Sequence, residues 1–460
     1  MSFPSDSIVA LSTPPGRGGI GVIRVSGPAS LSILPRMTNP ELVDPEPNYM
    51  TLRDVIDPFS REVLDHALVC YFKAPHSFTG EDIVEFHCHG SPVLLRRIID
   101  SILQLDVRLA NPGEFSLRAV MNGRLQLSQA EAIRDLIEAQ TDSAAQQATR
   151  QLAGEISHRL QPAKEQLLKI IVRLESSLEF VEDDLPQLER HEMERALESL
   201  RADFQSLAST FARGQLLRDG LTVALVGRPN AGKSSLFNRL LGHERAIVTP
   251  IPGTTRDTIA EPIGLDGVPV TLVDTAGIRV TTEQIESIGV DRTRRAAADA
   301  DLLIVVIDGS QRTNEEDDAV LEQAASKTHV IALNKSDLPT FSNAVVNDRP
   351  QKNGSRTPTV SVSAATEAGL VDLRAAILKP FVNGNGAGEG LMITNARHHD
   401  LLLRAISSIA SSEELIRTDA SEEIVLIGLH NALRFIGELT GETTTEDMLG
   451  QIFSTFCIGK

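Results

Sequence analysis

There is no tryptophan in this sequence, and only two tyrosines and three cysteines occur in 460 residues. Cys70, Cys88 and Cys457 lie far apart and form no Cys-x-x-Cys pair. That argues against a disulfide framework or a zinc module and makes a reducing cytoplasm the expected setting. So few large aromatics cannot build a broad platform for stacking bases. No apolar run approaches the roughly 20 residues of a membrane span. The first residues, Met-Ser-Phe-Pro-Ser-Asp-Ser, lack the basic and apolar regions of a secretory signal. Positive charge is short as well: 44 Lys and Arg stand against 62 Asp and Glu, a formal net charge of −18. A surface that grips phosphate backbones unaided is usually basic, because its cations release counterions. If nucleic acid is involved, a basic partner is expected to hold most of it.

An apolar content of 41% and a charged content of 23% are those of a soluble globular chain, and the length suggests about three domains. Residues 1–122 read as a mixed α/β domain. Ile8–Leu11, Gly19–Val25, Leu64–Phe72 and Asp82–His89 are β-rich, and Val93–Leu105 has helical spacing. The Pro- and Gly-rich Thr13–Gly19 is a loop and Asn111–Glu114 a turn. Ser128-Gln-Ala-Glu131 has the form of a capping box that opens a long helical stretch. Pro162 is expected to break or kink it, Asp183–Pro186 to end a second segment, and Gly214 to stop a third. From Leu221 to Leu378 strands alternate with helices, at Val223–Val226, Val268–Val273, Leu302–Ile307, Val330–Leu333 and Thr359–Val362. That rhythm predicts a parallel sheet with helices on both faces. Asn383–Gly390 reads as a flexible linker. Helices return from Asn395 to Arg434 and again after a second capping box at Thr443–Glu446. The expected architecture is multi-domain: an N-terminal α/β domain (1–122), an all-α domain from two chain segments (123–217 and 381–460), and an α/β domain inserted between them (218–380).

The inserted domain carries the plainest chemistry. Gly227-Arg-Pro-Asn-Ala-Gly-Lys-Ser234 follows the apolar run Val223–Val226 and precedes a helical stretch. In that context it is a phosphate-binding loop, whose glycines let backbone N–H groups curl around a polyphosphate at the positive end of a helix. Lys233 is expected to reach the β- and γ-phosphates and Ser234 to ligate Mg²⁺. Asp274-Thr-Ala-Gly277 ends a strand, so Asp274 can hold Mg²⁺ through water and the Gly277 N–H can meet the γ-phosphate. Asn334-Lys335-Ser336-Asp337 ends another. The Asp337 carboxylate can accept from N1 and N2 of guanine, while Asn334 helps fix the ring; adenine lacks the N2 donor. Ser363-Ala364 would offer a backbone N–H to guanine O6. In this order, each at a strand end, the motifs predict a GTP site. Its expected residues are Asn230, Ala231, Gly232, Lys233, Ser234, Ser235, Thr249, Thr254, Thr255, Asp274, Thr275, Ala276, Gly277, Asn334, Lys335, Asp337, Ser363, Ala364 and Ala365. Within Thr249–Asp257, Thr255 is the residue expected to complete the Mg²⁺ shell, which would make that loop a switch. Ras-like proteins follow Asp-x-x-Gly with a glutamine that orients the attacking water; here the position is Ile278. Glu286, with Glu283 as runner-up, is the candidate carboxylate for that work.

Three further stretches are informative: Thr13-Pro-Pro-Gly-Arg-Gly-Gly-Ile-Gly-Val-Ile-Arg-Val-Ser-Gly27, Ser77-Phe-Thr-Gly-Glu-Asp-Ile-Val-Glu85 and Asn111-Pro-Gly-Glu-Phe-Ser-Leu-Arg118. With the phosphate loop, Pro252-Gly-Thr-Thr-Arg-Asp257 and the terminal Phe456-Cys-Ile-Gly-Lys460, the chain resembles the MnmE (TrmE) family of tRNA-modifying GTPases along essentially its whole length. The resemblance implies a Ras-like P-loop domain, a homodimer formed through the N-terminal domain, and a hetero-oligomer with the flavoprotein MnmG (GidA). That partner uses FAD and NADH and supplies most of the tRNA-binding surface. Together they add an aminomethyl or carboxymethylaminomethyl group to C5 of the wobble uridine. A 5-formyltetrahydrofolate-type cofactor is implied in the N-terminal domain, its contacts falling on Arg24, Glu85, Arg124 and Lys460. Arg124 departs from a family lysine but keeps the charge. A potassium ion is implied in place of an arginine finger, held by the Asn230 side chain and the main-chain carbonyls of Thr249, Ile251 and Thr254. Glu286 matches the residue that orients the water through a second one, so Glu286, Asn230 and Lys233 form the implied catalytic set. Cys457 matches a near-terminal family cysteine, either accessory or structural. His87 and His89 alternate on one strand face without the further ligands a metal needs, and His87 is given no role. The competing readings are a ribosome-assembly or stress-response GTPase, a folate-dependent aminomethyltransferase with incidental GTP binding, and a pure scaffold.

Overall fold

The computed structural model describes residues 6–179, 187–243, 259–274, 298–343, 357–381, 390–442 and 446–459. The chain divides into two compact units, one of residues 1–134, 152–158 and 436–460, the other of residues 135–151 and 159–435. Among the described residues no helix is long and apolar enough to cross a membrane.

The first unit is built on a seven-stranded sheet. Its strands are β1 (Ser7–Leu11), β2 (Ile20–Ser26), β3 (Thr38–Asn39), β4 (Thr51–Ile56), β5 (Val63–Phe72), β6 (Ile83–His89) and β7 (Val107–Leu109). They lie in the order β3-β4-β5-β6-β2-β1-β7, antiparallel except for the parallel pair β1–β7. Alternation sorts the side chains to two faces. Ile23 and Val25 of β2 and Val84, Phe86 and Cys88 of β6 enter a core with Ile33 and Leu34 of the helix Ser30–Met37 and Leu95 and Ile98 of the helix Pro92–Ile102. The intervening Arg24 and Glu85, opposite each other in the β2–β6 register, belong to the other face. There Ile8 and Ala10 pack with Ala110 and Phe115, the latter from the helix Glu114–Met121. Farther along, Leu127 and Ala130 pack with Leu449, Phe453 and Phe456 of the C-terminal segment.

A charged network ties that helix to the sheet. Arg118, 1% exposed, donates to Asp6, Glu81 and Glu114, while Arg108 forms a fork onto Glu114 through Nη1 at 2.8 Å and Nη2 at 2.6 Å. Burial alone would raise the Glu114 pKa, but the bonds from Arg108, Asn111 N–H and Arg118 outweigh it and hold the carboxyl at about 2.

The second unit contains β8 (Leu221–Val226), β9 (Ile259–Leu265), β10 (Val268–Asp274), β11 (Leu302–Asp308), β12 (His329–Asn334) and β13 (Thr359–Ser361). The order β13-β12-β11-β8-β10-β9 is parallel except for β9, which runs antiparallel to β10. This is the Ras-like arrangement. The edge strand β9 escapes a reading of the sequence because Pro262 interrupts its pattern, and an edge is where a sheet tolerates proline. The buried runs of β8 and β11 form the centre, with Leu236, Phe237 and Leu240 of the helix Lys233–His243 and Leu370, Leu373 and Ile377 of the helix Leu370–Leu378 packed over them. The helices Gln187–Ser209 and Ala396–Arg417, from opposite flanks of the α/β segment, lie together, joined by Arg201 Nε to Glu413 Oε2 at 2.9 Å.

Three expectations about the helices are corrected. The capping box at Ser128 is displaced: the helix Leu127–Glu138 already includes Ser128, and Gln126 N–H donates to Gln129 Oε1 at 2.9 Å as the reciprocal half of a cap two residues earlier. Pro162 does not break its helix, which runs over Glu155–Glu179 with the proline inside it, so of the expected break or kink the break is excluded. Leu160, Leu167, Ile170 and Leu174 are buried along it, and that packing outweighs one lost backbone bond. Gly214 does not stop a helix but lies inside Phe211–Asp219, where a Cβ would come 2.1 Å from Ile393 O. The Thr443–Glu446 box lies partly outside the described residues.

Gly214→Ala is therefore expected to cost roughly 1–3 kcal/mol by overpacking, measured as a lower melting temperature; an unchanged one would overturn this reading. Glu114 has a folded pKa below the ordinary 4.5, so its stabilisation is present above about pH 4.5 and lost as pH falls toward about 2. Glu114→Gln is expected to flatten that part of the acid unfolding curve.

Candidate functional site

The phosphate loop springs from the buried end of β8, and its geometry explains its glycines. A Cβ on Gly227 (φ +153°) would lie 2.3 Å from Val306 O, and one on Gly232 (φ +94°) would lie 2.1 Å from Asn334 Nδ2. Asn230 takes φ +64° at the exposed tip. Lys233 opens the following helix, and its Nζ turns back to donate to Gly227 O at 2.7 Å and Arg228 O at 2.8 Å. Burial pulls the Lys233 pKa down, opposed by the charge of Asp274. Asp274, 3% exposed, ends β10 beside the loop. Ser234 is exposed in the helix's first turn. A loop whose backbone leaves no room for a Cβ, a lysine over it, and a hydroxyl and a carboxylate at its mouth fit a nucleotide polyphosphate with Mg²⁺.

The base end is built from the neighbouring strand ends. Asn334, 2% exposed, donates from Nδ2 to Ala231 O at 3.0 Å and accepts at Oδ1 from Ala364 N–H at 3.1 Å. One amide thus ties the phosphate loop to the loop after β13. Ser363 Oγ donates to Asp337 Oδ1 at 2.6 Å, which orients the carboxylate. Lys335, at φ +67°, sends Nζ to Asp308 Oδ2 at 2.6 Å. Burial works to raise the Asp308 pKa, but the bonds from Lys335 and Ser310 prevail and lower it. These groups surround a cleft of about 620 Å³ lined by Gly232, Ser235, Asn238, Arg239, Asn334, Lys335, Asp337, Leu338, Ala364 and Ala365, a size suited to a nucleoside. Sequence reasoning overlooked Asp308 and Arg239, whose partners are remote in the chain. Of the Ser363-Ala364 pair expected to offer a backbone N–H to guanine O6, the Ala364 N–H meets Asn334 Oδ1 here.

In the first unit, Arg24 Nε donates to Glu85 Oε1 at 2.8 Å, and His87 Nε2 lies 3.1 Å from Glu85 Oε2. Burial would raise the Glu85 pKa, yet His87 and Arg24 outweigh it and lower it. The Arg24 guanidinium lies 5.4 Å from the Phe78 ring centre and 5.7 Å from that of Phe115. Arg124 Nε donates to Ser77 O, beside Phe78, at 3.1 Å, so Arg24, Glu85 and Arg124 gather around the segment Ser77–Glu81. Cys457 is exposed, and its carbonyl accepts from Gly113 N–H at 3.3 Å. Gly459 packs on β1, with its carbonyl accepting from Ser12 Oγ at 3.1 Å. Among the described residues no cluster of three or more His, Cys, Asp or Glu could hold a metal. Thr249, Ile251, Thr254, Thr255, Thr275, Ala276, Gly277, Ile278, Glu283, Glu286 and Lys460 lie outside the described residues.

The profile described as the MnmE helical domain matches residues 127–457, and that of the GTP-binding protein TrmE N-terminus matches residues 7–124. The chain belongs to the MnmE family. It is 44% identical over 459 residues to the tRNA modification GTPase MnmE of Koribacter versatilis, covering 99% of both chains. It is 42% identical over 459 residues to that of Aquifex aeolicus, covering 99% of this chain and 100% of the relative. The relative from Natranaerobius thermophilus is 40% identical over 458 residues, with 99% of each chain covered. Membership of the MnmE family and the cleft agree on a GTPase that binds GTP with Mg²⁺.

Asp337→Asn reverses one hydrogen-bonding face, presenting an amide donor where guanine offers N–H groups. It is expected to weaken GDP binding on the order of 100-fold and to improve binding of xanthosine diphosphate, whose C2 carries an acceptor oxygen. Competition binding checks both, and unchanged GDP affinity would remove Asp337 from the base site.

Proposed function

We propose that the chain is a potassium-stimulated GTP hydrolase that acts with an MnmG (GidA)-like flavoprotein. The pair adds an aminomethyl or carboxymethylaminomethyl group to C5 of the wobble uridine, position 34, of certain tRNAs. Pairing of the GTP-binding domains controls the reaction. The observation that carries the reading is a cleft lined by Asn334 and Asp337 in a chain 44% identical, end to end, to a tRNA modification GTPase. Residues 218–380 are the GTP-binding domain, 123–217 with 381–460 the helical domain, and 1–122 the folate-binding and dimerisation domain.

In the hydrolytic step, Lys233 holds charge against the transferring phosphoryl group, and Ser234, Thr255 and Asp274 hold Mg²⁺. Ile278 cannot orient water, so Glu286 takes that role. Asn230, exposed on the phosphate loop, is the side-chain ligand for potassium, with the Thr249, Ile251 and Thr254 carbonyls completing the set. The bound cation supplies neutralisation of the charge that develops between the phosphates.

The first unit's donors suit a reduced folate. Glu85, an anion beside Arg24, can accept from pterin N–H groups, and the cations Arg24, Arg124 and Lys460 suit a glutamate tail. The docking of Gly459 against Leu11 and Ser12, one residue from where β1 pairs with Arg24, supports the inclusion of Lys460. Cys457 is an accessory or structural group there. The net charge of −18 supports a division of labour in which the partner, with its FAD and NADH, holds most of the tRNA. A cytoplasmic homodimer within a hetero-oligomer follows from the same reading.

GTP turnover is expected to be much faster in potassium than in sodium, and Asn230→Ala to abolish the difference; equal, negligible rates in both salts would sink the switch mechanism. Nucleoside mass spectrometry of a deletion strain is expected to show loss of C5-modified wobble uridine, and unchanged tRNA would defeat the proposal. Glu85→Ala is expected to lose retention of 5-formyltetrahydrofolate in equilibrium dialysis.

A further inference from the structure

The loop from Ser363 to Glu367 borders the cleft, yet Ala364 and Ala365 have no polar side chains with which to hold it, and Glu367 takes φ +68°. Ser363 ties the loop to itself, taking the Thr366 N–H on its hydroxyl and the Glu367 N–H on its carbonyl, and further anchors come from outside the loop. Asn334 takes the Ala364 N–H from the inner side. From the outer side, Arg239 of the helix Lys233–His243 donates Nε to Ala364 O at 2.9 Å, Nη2 to Ala365 O at 3.3 Å and Nη1 to Glu367 Oε1 at 2.7 Å. We propose that Arg239 is a specificity-positioning residue for guanine, a clamp that aims the loop's backbone donor at position 6 of the base.

Peptide planarity carries the grip of Arg239 to the N–H groups of the loop. A guanidinium fork fixes the directions of the acceptors it binds. In a planar trans peptide each carbonyl is opposed by the next residue's N–H, so gripping Ala364 O and Ala365 O also sets the N–H groups of Ala365 and Thr366. Thr366 N–H is engaged by Ser363 Oγ at 3.1 Å, and Ala364 N–H by Asn334. Among the described residues Ala365 N–H has no such partner, and Ala365 lines the cleft. It is the donor left for O6. The charge-assisted bond on Ala364 O polarises the same peptide and strengthens that N–H as a donor. Arg239 and Lys233 share one helix, so the base end of the site is held in register with its phosphate end.

The inference rests on the guanine reading of the cleft, and the test separates the two. Binding of GDP, IDP and 6-thio-GDP to the full-length protein is measured by competition with a fluorescent GDP. IDP lacks the amino group read by Asp337, whereas 6-thio-GDP replaces O6 with sulfur, a weak acceptor. Arg239→Ala is expected to weaken GDP about tenfold and to bring its preference over 6-thio-GDP close to unity, with the GDP-to-IDP preference retained. Arg239→Gln, which keeps one amide and a good helix former, is expected to fall between, with an unchanged far-UV spectrum. Equal losses for GDP and 6-thio-GDP in both variants, or no loss in either, would overturn the clamp. Absence of any GDP-over-IDP preference in the unaltered protein would overturn the guanine reading instead.

Discussion

The second unit depends on one buried amide. Asn334 carries the phosphate loop on its nitrogen, through Ala231 O, and the loop after β13 on its oxygen, through Ala364 N–H. Both groups are out of reach of water, so removing either partner would leave a buried polar atom unsatisfied, at about 1–3 kcal/mol. Gly232 follows from the same contact, since any Cβ there would collide with the amide. The strand order serves this arrangement: with β8 beside β11 and β11 beside β12, the loop after β8 and the motif after β12 can meet across the top of the sheet. Phosphate and base are therefore read by groups that cannot move independently.

In the first unit charge plays the organising part. Glu114 and Arg118 are nearly inaccessible, and each is acceptable there because the other, with Arg108, Asp6 and Glu81, supplies counter-charge and hydrogen bonds. Removal of one member leaves its partners buried and uncompensated. Glu85 repeats the theme on a smaller scale, an anion kept ionised by His87 and Arg24 on a half-buried sheet face. Such a carboxylate is set up to accept hydrogen bonds from a ligand rather than to donate or take a proton.

The chemistry was largely legible along the chain because its motifs are local. Gly227 to Ser234 reads as a phosphate loop from its place between an apolar run and a helical stretch, and Asn334 to Asp337 as a base reader from its order among motifs at strand ends. That five strands form a parallel sheet follows from their alternation with helices. What resisted reading had partners far away or a pattern that packing overrides. The edge strand β9 contains Pro262, acceptable because β9 pairs on one side alone among the described residues. Pro162 sits in an unbroken helix because its apolar neighbours are buried. His87 acquired a contact with Glu85 only through the shared strand face, two residues apart.

The sequence by itself determined that this protein binds a guanine nucleotide and belongs with the MnmE family, since phosphate and base recognition use side chains and glycines clustered within a few positions. Only the tertiary structure decided how those clusters are joined. Arg239 meets Ala364 across 125 positions and Asn334 meets Ala231 across 103, while Gly214 is required by the carbonyl of Ile393. No local pattern announces such contacts, because hydrogen-bond geometry and steric exclusion act between neighbours in space.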